Sequence, residues 1–489
     1  MKRGKITCIC LALLLASAVL AGCAERTGGG TFTYEEIMAK FDGEIEQNAT
    51  IRVLDNQMAT ETGHLEEMLA AFNERYAEYN VNAVDANMDQ YVDLEQNGPD
   101  GYGPDVLYQA NDMLMRYAEG GHVLPLPTEE LDIEQIPQTV LDVYQLETYG
   151  LDLYYGMPVA QQSTVLTYRK DLLPDNWEEE WDDNRNGVPD MVETMNDLYA
   201  YSNQVKEQSN GERYGLYMSL VDQYFNSGYL LSFGAYVFGD THDDIGLNAD
   251  GAATGLNLFR DLAGVLGSNC ISQNATTQVA TYLTNSAGTA FCTIGTPDWL
   301  TTFHENLTAT YVRGGMSQTE AEEAAAENLV VVAPPRLPKD GDITKELTDI
   351  EEETFEPTTM GGVNAFSISS YTQYPKACLA FVKFVSEYEN LKWRSEALGA
   401  VPARTDLAEE LGGVSEILSE RVSSGLVYMM PSSRDTQYIW DPLTSLFNDV
   451  ATDNTTRQTP VYTTTEALQG ALDKLVADIR SAMAIGNIS

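Results

Sequence analysis

Positive charge is scarce in this sequence. Against 74 aspartates and glutamates stand 28 lysines and arginines, a formal net charge of -46 over 489 residues. A field of that sign repels nucleic acid and other anionic polymers, so neither is an expected partner. Histidine is rarer still: His64, His122, His242 and His304 lie scattered along the chain, which suggests no zinc site and no Cys/His dyad. Cysteine is sparse and unpatterned. Cys8, Cys10 and Cys23 fall in the first thirty residues, and Cys270, Cys292 and Cys378 remain without a CxxC. Cys270 and Cys292 can pair in an oxidising compartment or stay as buried thiols. The glycines at 98, 101 and 103 lack the Gly-Lys-Ser/Thr ending of a P-loop, so phosphate cradling is unsupported. No repeat of 20 to 50 residues points to a solenoid. Beyond the start of the chain no run of ~20 apolar residues offers a membrane span.

What is present begins with Lys2, Arg3 and Lys5, an apolar core from Ile6 to Leu20, and the tetrapeptide Leu20-Ala21-Gly22-Cys23. This is a secretory signal ending in a lipobox. It predicts cleavage after residue 22, acylation of Cys23, and membrane attachment through that lipid. Residues 23–47, with Gly28, Gly29 and Gly30, read as a flexible tether. The remaining length favours two or more domains over one core, and 43% hydrophobic content supports folded structure despite the acidity.

Thr50 to Leu54 reads as a strand, and Leu65 to Tyr76 as an amphipathic helix with Leu65, Met68, Leu69 and Phe72 on one face. Val81 to Val84 reads as a second strand. The stretch from Gly103 to Leu124 follows: an apolar strand at Asp105–Tyr108, Asn111 placed to cap a helix, Leu114, Tyr117 and Ala118 at helical spacing, and Gly120-Gly121 as the stop. Such alternation is the mark of an α/β sheet covered by helices. Polar groups at the carboxyl end of a strand, here Gln109 and Asp112, are where open sheets of this kind bind ligands.

Several segments carry a resemblance. Gly103–Leu124 looks like the segment with which solute-binding proteins of carbohydrate ABC transporters, the maltose-binding-protein-like family, line their interdomain cleft. Tyr154–Lys170, followed by Asp171-Leu172-Leu173-Pro174, resembles that family's strand crossing between lobes. Asp222-Gln223-Tyr224-Phe225 resembles its acidic-x-aromatic cleft motif. Gly246–Leu262, Gly288–Leu300, Leu329–Pro338, Met360–Ser369, Leu398–Arg404 and Gln437–Trp440 continue the likeness in the same order over about residues 50 to 485. The resemblance implies a two-lobed periplasmic-binding-protein-like fold of the second type, with a hinge and an interdomain cleft. The expected division is 48–161 with 336–410 for one lobe and 162–335 with 411–489 for the other.

It also implies a function: a lipid-anchored, monomeric binding protein that captures an oligosaccharide, foremost malto-oligosaccharides, and delivers it to permease subunits. The implied hydroxyl partners are Gln109, Asp112, Gln162 and Asp222, with Tyr224, Trp299, Tyr438 and Trp440 as stacking faces. Gln162 stands where the family often has an acid, and Pro297 stands where a tryptophan is expected, with Trp299 two residues on. An enzyme such as a glycoside hydrolase is disfavoured, since no pair of carboxylates stands out among so many. A surface glycan binder without a transporter and a receptor for a non-carbohydrate solute are the alternatives.

Residues 182–193, Asp-Asp-Asn-Arg-Asn-Gly-Val-Pro-Asp-Met-Val-Glu, match the twelve-residue EF-hand loop. Asp182, Asn184, Asn186, Val188 (through its carbonyl), Asp190 and Glu193 fall at the ligand positions and Gly187 at the turn. A structural Ca²⁺ in an insertion of the second lobe is the expectation; an Asx-rich turn opening a helix is the alternative.

Overall fold

The computed structural model describes residues 33–89, 94–173, 175–239, 241–272 and 274–486. The signal and Cys23 lie outside the described residues. Short apolar runs become strands, and their order shows how the chain passes twice through each of two cores. β1 (Thr50–Leu54), β2 (Asn82–Asp85) and β3 (Val106–Ala110) lie parallel with β1 in the middle. Then come β4 (Val123–Leu124), the hairpin of β5 (Gln145–Thr148) and β6 (Leu151–Tyr154), and β7 (Met157–Ser163). β8 (Val165–Arg169) follows after one residue, yet belongs to another sheet with β9 (Tyr214–Leu216), β10 (Ala290–Gly295) and β11 (Leu329–Val332), in the order β11-β8-β10-β9.

A small pair, β12 (Leu337–Pro338) with β13 (Thr354–Phe355), precedes the return. β14 (Thr359–Ser369), buried along its whole length, inserts antiparallel between β7 and β3. β15 (Val401–Pro402) pairs with β7 and β16 (Val427–Met429) with β14. Eight strands thus form the first sheet.

Each sheet is covered by helices over its own core. Phe72, Leu107, Tyr117, Phe366 and Phe381 belong to the first; Leu166, Phe259, Phe291, Leu443 and Phe447 belong to the second. The helix Asn111–Glu119 buries Leu114, Tyr117 and Ala118, the face its spacing predicts.

Three boundaries differ from the sequence reading. Residues 33–47 are not wholly tether: Thr33 caps the short helix Tyr34–Met38 in a reciprocal box with Glu36, and Ile37 and Phe41 join the first core. The Glu46 carboxylate accepts the backbone N–H groups of Lys376 and Ala377 at 3.1 and 2.8 Å, at the start of the helix Pro375–Val385, where a negative charge is favoured. The chain returns to the first lobe at β14 and not at 336, because Leu337, Ile343 and Met360 pack in the second core. It leaves again near 430 and not at 410, because Leu418, Val422 and Val427 pack in the first core. The 182–193 loop leads into a one-turn helix, Asp190–Glu193, that stops at Thr194, whose side chain caps a second helix, Met195–Gln208. Cys270, Cys292 and Cys378 are buried free thiols.

Candidate ligand site between the lobes

The helix Asn111–Glu119 starts directly after β3, so its first turn projects from the carboxyl end of a buried strand toward the other lobe. Ala110, not Asn111, holds the N-cap position, and no side chain caps the helix. Asn111 is spent elsewhere. Its Nδ2 donates to Met430 O and Ser432 Oγ, both at 2.7 Å, and its Oδ1 accepts Val363 N–H at 3.2 Å. It pins the helix to two of the segments that join the lobes.

The next residue reaches across. The Asp112 carboxylate accepts its neighbour Met113 N–H at 2.8 Å, and the Trp440 side chain lies close enough to favour its charged form. Trp440 is the first residue of the helix Trp440–Thr455, whose Leu443 and Phe447 lie in the second core. Two residues 328 positions apart are therefore brought together from opposite lobes. Burial holds the Asp112 carboxyl above the usual carboxylate range despite those neighbours.

Tyr224 sits beside them in the helix Gln223–Leu231, its hydroxyl donating to Gln162 O at 3.4 Å. Burial drives that phenol far above its ordinary value, and the carboxylates of Asp298, Asp222 and Asp112 add to the effect. Its ring meets Phe225 edge-on at 5.7 Å, and Phe225 meets Trp299 at 5.3 Å, so one aromatic wall runs from Tyr224 to the start of the helix Trp299–Arg313.

The remaining expected residues divide. Asp222 is the N-cap of the Tyr224 helix, accepting Tyr224 N–H at 3.1 Å, so part of its hydrogen-bonding capacity is structural. Gln162 lies at the end of β7 beside the hinge, half-buried. Gln109 is buried within β3, where its carbonyl accepts the Tyr144 hydroxyl at 3.3 Å; it supports the site from beneath. Tyr438 ends the turn before Trp440 and packs at the edge of the second core.

Asp298, between Pro297 and Trp299, was not singled out from the sequence. The family's tryptophan position falls one residue earlier, at Pro297, and no local pattern marks an aspartate at 298. Its loop lies against the first lobe: a methyl group on Gly399 would come within 2.9 Å of Thr301 Oγ1 and 3.9 Å of Pro297 O.

Aromatic faces flanked by carboxylates suit a ligand with apolar faces and hydroxyl edges. Asp112, Asp222 and Asp298 are the charged members of this group. Arg394, stacked on Tyr108 of β3, is committed to the Asp55 carboxylate by two hydrogen bonds of 2.7 Å.

The model of the bacterial extracellular solute-binding protein family matches residues 67–417. The chain belongs to that family. This solute-binding protein is 23% identical over 375 residues to a galactooligosaccharide-binding protein of Bacillus subtilis, covering 74% of this chain and 76% of that one. It is 23% identical over 365 residues to a maltotriose-binding protein of Pyrococcus abyssi, covering 73% and 67%. Its fold matches that of a maltose-binding periplasmic protein from Listeria monocytogenes in complex with maltose, with a TM-score of 0.62 at 18% identity over 89% of this chain and 98% of that one. It is a binding protein of two lobes, not an enzyme.

The 182–193 loop of this solute-binding protein folds back on itself. The Asp182 carboxylate accepts the N–H groups of Asn186 and Gly187, both at 3.0 Å. Glu193 returns to the Asn184 amide at 2.9 Å and to the Asn186 amide, and Gly187 takes the turn at φ 79°. Positions one, three, five and twelve thus gather about one point. Among the described residues no three His, Cys, Asp or Glu side chains are grouped as a metal site. A fit to Ca²⁺ therefore depends on amide and carbonyl oxygens joining Asp182 and Glu193, a donor set that a hard cation accepts. Asp190 turns instead to Asp183 N–H at 3.3 Å.

Proposed function

We propose that this protein captures a neutral oligosaccharide between its lobes, foremost a malto-oligosaccharide, and delivers it to the permease of an ABC importer. The observation that carries the reading is the approach of Asp112 and Trp440 from opposite lobes, with Tyr224 close enough to feel the Asp112 charge. It joins a hydroxyl acceptor and an aromatic platform from opposite lobes. The printed names of the relatives, a galactooligosaccharide-binding and a maltotriose-binding protein, support an oligosaccharide class and leave the linkage to experiment. The lipobox at Cys23 supports anchoring by acylation on the outer face of the membrane, with the folded lobes acting as a monomer.

Isothermal titration calorimetry of the purified chain against maltotriose tests this. One-to-one binding is expected, with Asp112→Ala and Trp440→Ala each weakening it tenfold or more, on the order of 1.4 kcal/mol. No heat with maltotriose but binding of a β-linked galactotriose moves the assignment to galactans. Silence with both sinks the oligosaccharide reading.

We also propose that the 182–193 loop binds Ca²⁺ as a structural staple. Excess Ca²⁺ should raise the unfolding temperature relative to EGTA, with about 2.7 kcal/mol gained at a hundredfold excess over Kd. Glu193→Gln should abolish most of that gain. An unfolding temperature indifferent to Ca²⁺ would leave the loop as an Asx turn.

A further inference from the structure

Asp298 occupies the position at which a helix commonly takes a capping carboxylate, immediately before the fifteen residues Trp299–Arg313. It does not cap. Its backbone is already helical, at φ -61° and ψ -19°, and its side chain receives no hydrogen bond from the helix. Thr296 and the residue's own backbone lie close enough to favour its charged form against burial, while Oδ1 is buried with no hydrogen-bond partner. An acceptor left unmade in this way costs about 1–3 kcal/mol. Native proteins retain few such groups, and each calls for a reason.

Location supplies the reason. The loop 296–298 leaves the carboxyl end of β10, packs against the first lobe at Gly399, and carries its carboxylate close enough to Tyr224 to raise the phenol further. Asp112 acts on the same phenol from the first lobe. Burial holds both carboxyls above their ordinary value, as expected of groups stripped of water before a partner has arrived.

We propose that Asp298 is the second-lobe acceptor for a ligand hydroxyl, a binding residue facing the same space as Asp112 and selecting ligands that donate hydrogen bonds there. This rests on the oligosaccharide reading and narrows it. A sugar that donates on both sides satisfies both carboxylates. A uronic acid would set its own negative charge against Asp112, Asp222 and Asp298, with Arg394 already committed to Asp55.

The test compares wild type with Asp298→Ala and Asp298→Asn, as full purified chains, by calorimetry with maltotriose, β-linked galactotriose and trigalacturonate, and by thermal unfolding without ligand. Affinity of the alanine variant for the neutral sugar is expected to fall at least tenfold, while the ligand-free unfolding temperature stays level or rises because an unmade acceptor has been removed. The asparagine variant, which keeps volume and one acceptor, guards against a variant that fails to fold and should lie between the two. Trigalacturonate should not bind wild type. Unchanged affinity in both variants overturns the assignment, and so does a fall in unfolding temperature without a loss of affinity, which would mark a residue that only starts a helix. Binding of trigalacturonate overturns the selection by charge. If wild type binds no neutral sugar the functional reading falls first, a result distinct from a wild type that binds and a variant that binds equally well.

Discussion

At the scale of single residues the first lobe holds a buried polar cluster beneath the site. Asp55 and Arg394 are hydrogen-bonded twice at 2.7 Å, and the Arg394 guanidinium lies 4.6 Å over the Tyr108 ring. His64 is buried beside them, edge-on to Trp393 at 5.0 Å, with neither ring nitrogen partnered. Burial first and the Arg394 charge second lower its pKa to about 4, with Asp55 opposing both. The unfolded value is 6.5. The neutral form is therefore the one that fits, and its contribution to stability is complete above pH 6.5 and lost as pH falls toward 4. Asp112, Asp222 and Asp298 run the other way, since carboxyls raised by burial favour the folded state below their unfolded value and lose that advantage as pH rises. Comparison with His64→Gln cancels them. Urea unfolding at pH 7, 5.5 and 4.5 should show wild type losing stability more steeply than the variant, by at most about 1.4 kcal/mol per pH unit. Parallel slopes would mean that His64 is protonated in the folded protein.

At the scale of elements, three passages between lobes lie side by side, and this makes a hinge. Gly361 pairs with Ser163 of β7 on one side and with Met429 of β16 on the other. Ser163 Oγ adds hydrogen bonds to Thr359 Oγ1 at 2.7 Å and Met360 O at 2.8 Å. A Cβ on Gly361 would lie 2.1 Å from Val427 Cγ1 and 3.0 Å from Gln162 O. Gly361→Ala is thus expected to cost about 1–3 kcal/mol in chemical denaturation and to weaken ligand binding severalfold by shifting the pivot; wild-type stability and affinity would refute the geometry. The strands themselves were legible, because Thr50–Leu54, Val106–Ala110 and Val165–Arg169 are short, β-branched or aromatic runs between turns. The crossings at β14 and β16 were not. Amphipathic spacing tells which face of Gly413–Ser423 is buried but not against which lobe, and a strand such as Leu337–Pro338 contributes too little apolar area to mark its core. Asn111 failed as a cap for the same reason: its partners at Met430 and Ser432 lie more than 300 positions away.

At the scale of the whole molecule, collinear order made the family legible where each motif was modest, and the site followed only as far as its motifs matched. Asp112, Tyr224 and Trp440 sit in recognisable surroundings in the sequence; Asp298 does not, and only the fold shows its unpartnered oxygen. Net charge adds a property that no single motif contains. With a formal charge of -46 both lobes are surrounded by like charge, and closing the cleft gathers carboxylates from both sides. Closure around a neutral ligand therefore works against self-repulsion that salt can screen. The Debye length falls to about 8 Å at 0.15 M, so charges separated by more than that across a solvated cleft are largely screened. Titration with maltotriose at about 20 mM and about 150 mM NaCl should show affinity rising about two- to threefold with salt, although the ligand carries no charge to be screened. Asp298→Asn should flatten that dependence by removing one repelling group. Affinity independent of salt in wild type would mean that the lobes do not move toward one another on binding, and that the site is already assembled before the sugar arrives.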